Sequence, residues 1–150
     1  MNKWQIICPV ALMLVVGVWI AHSHAQVHRK VLRAAIGQQL NLVLTELQKH
    51  EQGGCFPSAQ AAYDALSDES VVKRINITSL FKVDDLYYNA ARPVTGSVSL
   101  VVCAPVGDSF YGMRADTTLT LLSKTELDQE HLVPLVPAIA TPVPKRVVEH

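Results

Sequence analysis

The chain has no G-x-S-x-G, P-loop, H-E-x-x-H or C-x-x-C pattern. It therefore lacks the local signatures of acyl transfer, nucleotide binding, zinc hydrolysis and dithiol redox chemistry. It also lacks net charge, since thirteen basic and thirteen acidic residues cancel. Removing residues 1–25 takes away only Lys3, leaving twelve basic residues against thirteen acidic ones. A domain so balanced has no electrostatic footprint for nucleic acid or for an anionic surface. Internal repeats are absent, aromatic residues make up only 6%, and there are three cysteines. No acidic side chain occurs before Glu46. These absences point away from an enzyme, a cofactor and a metal centre.

What is present is a long apolar run. Residues 4–21 carry no ionisable side chain except the Cys8 thiol. At helical rise this stretch is about 27 Å long, close to the ~30 Å hydrocarbon core of a bilayer. Trp4 and Trp19 sit near its ends, as interfacial aromatics do, and Pro9 falls near its start. The run reads as a transmembrane anchor, so a membrane is the expected partner of residues 4–21. The competing reading is a cleaved signal peptide. Lys3 gives a basic start, and Ser23, His24 and Ala25 place small residues at a cleavage site after Ala25. Either way the remainder is expected on the extracytoplasmic (periplasmic) side of a membrane, or secreted. Arg29, Lys30 and Arg33 outnumber the positive charges ahead of the run, which weighs against that orientation.

Beyond the run, residues 26–52 show helical periodicity. Leu32, Ile36, Leu40, Val43 and Leu47 make one apolar stripe. No proline interrupts the chain between Pro9 and the Gly53, Gly54 pair, so anchor and amphipathic helix form one rod that the glycines end. Ser58 is placed to cap a short helix through Leu66, and Ser67 to cap another turn or two. Residues 86–89, 97–103, 110–113 and 117–122 are rich in β formers; the last three make an antiparallel meander. Residues 123–132 read as a short helix. From Val133 to the end come Pro134, Pro137, Pro142 and Pro144, so 133–150 reads as an extended tail.

The expected fold class is α+β: an N-terminal membrane helix continuing into an amphipathic helix packed on a small antiparallel meander. The expected organisation is an anchor or signal at 1–25, a domain at 26–132 and a Pro-rich tail at 133–150. Of the cysteines, Cys8 falls in the apolar run. Cys55 and Cys103 make an even pair, read as a disulfide in an oxidising compartment or as two buried thiols in the cytosol.

This order of parts resembles the pilin and pseudopilin class. Cys55, Phe56, Pro57 and Ser58 followed by the helix to Leu66 is similar to the segment after the long helix in type II secretion-like pseudopilins. Leu86, Tyr87, Tyr88 and Asn89, then 98–105, then Tyr111 to Ser123 and Glu126, is similar to the C-terminal strands of that class. The resemblance implies a membrane-anchored, non-catalytic interaction or assembly component, with protein partners engaged through the amphipathic helix. It does not extend to the N-terminus, where a prepilin carries Gly followed by Phe or Met and an early glutamate. Here stand Met1, Asn2, Lys3 and Trp4. The alternative function is a secreted or periplasmic ligand-binding module released after Ala25.

Smaller clusters read as surface. His22, His24 and His28 form H-x-H-x3-H, a polar stretch beside the run. Asp64, Asp68, Glu69, Asp84 and Asp85 lack the calcium-loop pattern. Tyr87, Tyr88, Phe110 and Tyr111 read as core and core edge. Asn76, Ile77 and Thr78 form an N-glycosylation sequon.

Overall fold

The computed structural model describes the backbone of residues 4–76 and 80–136, and side chains from residue 13 onward within those ranges. The fold is α+β: a long helix, α1 (Trp4–Lys49), followed by short helices and a five-stranded antiparallel sheet. The chain divides into two compact units, residues 1–38 and 39–150. The first is helical throughout its described length. Among the described residues, no helix is long and apolar enough to cross a membrane. The apolar run begins at Trp4, and its side chains up to residue 12 lie outside the described set.

The second unit starts with the last turns of α1. Leu40, Val43, Leu44 and Leu47 are fully buried there, at the i, i+3, i+4, i+7 spacing that puts them on one helical face. Buried Gln39 donates from Nε2 to the Phe81 carbonyl at 3.1 Å. The helix closes earlier than its glycines suggest. His50 and Glu51 donate back to the Leu47 and Gln48 carbonyls, an i→i−3 tightening. Gly53 and Gly54, both at positive φ, form a two-residue turn between Gln52 and Cys55, which exchange backbone bonds of 3.0 and 3.2 Å.

Two short helices follow. In α2 (Ala59–Leu66), Ser58 is the N-cap, accepting from the Ala61 N–H. In α3 (Glu69–Ile75) the cap is Asp68 rather than Ser67, because the longer carboxylate reaches the Ser70 N–H at 2.9 Å. A 3-10 turn at Val83–Asp85 leads into the sheet.

The strands are β1 (Tyr87–Asn89), β2 (Leu100–Val106), β3 (Ser109–Arg114), β4 (Leu119–Leu122) and β5 (Leu132–Pro134), in spatial order β4-β3-β2-β1-β5. α4 (Lys124–Gln129) separates the last two, closed by a capping box between Ser123 and Glu126. The sheet is therefore larger than a three-stranded meander. Residues 132–134, the end of the expected 123–132 helix and the start of the expected tail, instead pair with β1, and the Leu135 N–H bonds the Leu86 carbonyl. Pro134 is tolerated because β5 is an edge strand. Residues 137–150 of the expected tail lie outside the described residues.

Two strand starts move inward from their expected positions. Ser97 and Ser99 bond each other at 2.8 Å, and Ser97 Oγ donates to the Val94 carbonyl. Such local hydroxyl bonds favour a loop over a ladder, and β2 begins only at Leu100. Likewise Thr117 adopts φ 70°, and the Thr118 N–H is taken by the Asp116 carboxylate. A turn therefore occupies the first residues of the expected 117–122 strand.

Register explains the sheet's packing. Tyr87, Cys103, Gly112 and Thr120 are successive cross-strand partners, so they share one face. An irregularity between Leu100 and Val102 brings Leu100 onto that face too. There Leu100, Cys103, Leu122 and Leu127 form a buried cluster flanked by Tyr87, Phe110 and Leu132. The Tyr87 and Phe110 rings meet edge to face, centroids 6.2 Å apart. Partners Tyr88, Val102 and Met113 lie on the opposite face and are also buried. Hence five consecutive residues, Leu100, Val101, Val102, Cys103 and Ala104, are fully buried.

Gly112 makes the cluster possible. A Cβ at this position would sit 2.5 Å from Leu100 Cδ1 and 2.9 Å from Leu122 Cδ1. The space that glycine vacates is filled by these two methyl groups. Replacing Gly112 with Val should lower stability by about 2 kcal/mol, the usual scale of overpacking a full core. A reduced urea midpoint at unchanged m would show it; an unaltered midpoint would mean the cluster yields freely.

Candidate functional site

On the first unit, Met13, Leu14, Val15, Val16, Val18, Trp19 and Ile20 all expose between 47% and 75% of their surface. Successive helical residues lie 100° apart, so this apolar surface passes all the way round the helix. A helix apolar on every side needs an apolar surrounding. Leu14, Val15, Val18, Trp19 and His22 together line an open, almost wholly apolar hollow. Further along, Arg29, Lys30 and Arg33 are exposed. Of the histidine trio, His22 shares a 2.8 Å contact with the Gln26 amide. Among the described residues, no three His, Cys, Asp or Glu side chains gather to hold a metal.

The second unit carries a polar cleft of about 380 Å³ where α1 ends and α2 begins. Its lining includes Lys49, His50, Glu51, Gln52, Pro57, Ser58, Ala61 and Arg92. Arg92 sits at φ 52° and its Nε donates to the Phe56 carbonyl at 3.4 Å. Lys49 Nζ lies 2.7 Å from Glu46 Oε2, which Arg74 Nη2 also reaches at 3.1 Å. Glu46 is nearly buried, with 11% of its side chain exposed. The Lys49 hydrogen bond holds its carboxyl below the usual glutamate value; burial opposes this, and the charges of Lys49 and Arg74 add to it. A smaller hollow of about 280 Å³ is lined by Tyr63, Ser67, Val72, Asn76, Lys82, Val83 and Asp84. Two sequon residues, Ile77 and Thr78, lie outside the described residues.

Four of the five acidic candidates make local side-chain bonds. Asp68 caps α3, Asp85 accepts from the Lys82 N–H, Asp64 bonds Gln60, and Glu69 pairs with Lys73. Tyr88 is fully buried, donating its hydroxyl to the Pro57 carbonyl at 2.6 Å, and burial pushes its pKa up to about 12. Tyr87, Phe110 and Tyr111 are half-buried.

Cys55 and Cys103 are both free, so the expected disulfide is not formed in this structure. Cys55 is half-buried and bridged through its backbone to Gln52 and Val94, whereas Cys103 is held in the cluster with Leu100, Leu122 and Leu127. Burial pushes the Cys103 thiol up to about 12, which makes it a poor nucleophile at neutral pH.

No family model, curated protein or solved structure matches this chain. The cleft and the Glu46–Arg74 pair were not read from sequence, because 28 residues separate the paired groups and no local pattern joins them.

Two outcomes follow. In the folded protein under reducing conditions, Cys55 should react with a water-soluble maleimide at least a hundredfold faster than Cys103, by mass mapping. Equal rates would place Cys103 at the surface. Glu46 contributes stability that is present above the ordinary glutamate value of 4.5 and lost as pH falls through its lowered native value. Glu46→Gln should therefore flatten urea midpoints across that acid window. It should cost about 1 kcal/mol at pH 7, because Arg74 and Lys49 are each about half exposed and can rehydrate. An unchanged acid slope would remove Glu46 from the account.

Proposed function

We propose that this chain is a membrane-anchored interaction or assembly component of pilin-like architecture, extracytoplasmic and without catalysis. The observation that carries the reading is the exposed apolar girdle of α1 at residues 13–20, within the charge-free run that begins at Trp4. Seven large apolar side chains left in water are unfavourable by roughly 1–2 kcal/mol each, so a covering medium or partner is implied. The order of long helix, short helices and antiparallel sheet agrees with the pilin-like resemblance. Because Leu40, Val43 and Leu47 are already fully buried, they offer no free stripe to a partner. In this reading the end of α1 is a spine of the second unit, and partners meet other surfaces.

The polar cleft supports a second reading, a ligand-binding module released after Ala25. Membrane fractionation of the expressed protein followed by N-terminal sequencing separates the two. The anchored reading expects full-length protein resisting carbonate extraction; a soluble chain beginning at Gln26 would replace it with the released module. Full-length protein recovered wholly in the soluble cytosol would overturn both.

A further inference from the structure

The overall charge balance conceals a strong local imbalance. Every one of the thirteen acidic residues lies at or beyond position 46, whereas Arg29, Lys30 and Arg33 fall shortly after the apolar girdle. All three are exposed on α1. Their spacing places the charge at a defined depth. Arg29 is eight residues past Ala21, about 12 Å along a helix. Helical side chains lean toward the N-terminus, here back toward the girdle. An extended arginine or lysine recovers about 6 Å of that distance, as such side chains do when they snorkel. The Arg29 and Lys30 groups then stand about 6–8 Å beyond the apolar run, at the level of the headgroup layer flanking a ~30 Å core, with Arg33 about one turn further out.

We propose that Arg29 and Lys30, supported by the charge of Arg33, form a docking surface for the phosphates of anionic lipid headgroups. The inference rests on the membrane reading above and adds which lipids the helix gathers. Charge complementarity carries it: no acidic side chain on this part of α1 would repel a phosphate, and the adjacent girdle sets the cations at phosphate level. Each cation near an anionic surface is expected to favour anionic lipid about fivefold, and salt weakens the effect because the groups are solvated.

The test uses the full chain reconstituted into phosphatidylcholine vesicles. These carry a small fraction of dansyl-labelled phosphatidylglycerol or, in parallel, dansyl-labelled phosphatidylcholine. Energy transfer from tryptophan, with Trp19 in the girdle, reports which labelled lipid sits beside the helix. Transfer to the anionic probe should exceed transfer to the neutral probe severalfold. The ratio should fall toward one in R29Q/K30Q and in 0.5 M salt, and persist in R29K/K30R. Co-flotation with vesicles at a ratio of one for the unaltered chain overturns the lipid preference alone, as does an undiminished ratio in R29Q/K30Q. Failure to float with either vesicle overturns the membrane reading and the preference with it.

Discussion

The structure depends on burial of one helical face, the Leu40, Val43, Leu44 and Leu47 stripe at the end of α1. Four such side chains removed from water contribute roughly 6–12 kcal/mol before conformational entropy is subtracted. That is comparable with the whole net stability of a small domain. The polar contacts on this part of the helix are arranged round the stripe. Gln39 reaches the Phe81 carbonyl, and Glu46 is held by Lys49 and Arg74. Losing the stripe would leave those polar groups without their partners as well.

The sheet applies the same constraint to a central strand. β2 is buried on both faces, so neither side tolerates a change in volume. One face is closed by α4 through Leu127, and its packing turns on a missing side chain at Gly112. Asn89 secures the start of the strand, donating 2.7 Å to the Leu100 carbonyl and accepting from the Ala91 N–H. A buried amide with both ends satisfied fixes register as well as stability. Cys103 occupies this interior as a small apolar group, and the same burial pushes its thiol pKa up.

Much of this was legible residue by residue, and the failures share a cause. Leu40, Val43 and Leu47 of the stripe and the Ser58 cap were readable because their period or capping distance lies within a few neighbouring residues; Leu44, which completes the buried face, was not singled out. The extent of β2 and β4 was not, because Ser97, Ser99 and Asp116 satisfy backbone locally and shorten strands whose side chains favour β structure. β5 was obscured by Pro134, which cannot donate to a ladder and so argues against a strand unless, as here, it lies at an edge. The cleft joins residues 49–52 with Arg92, a contact set by tertiary folding that no window along the sequence contains. The girdle was visible as composition, while the demonstration that its residues 13–20 remain exposed needed coordinates.

On this account α1 meets two environments along its length: residues 39–49 belong to a packed interior, and the girdle awaits an apolar surrounding. Amide hydrogen exchange on the full chain, with and without lipid vesicles, addresses that division directly. Residues 39–49 should exchange only through global unfolding in both conditions, while residues 13–21 should gain strong protection only when lipid is present. Equal protection of residues 13–21 in water and lipid, or rapid exchange across residues 39–49, would contradict it.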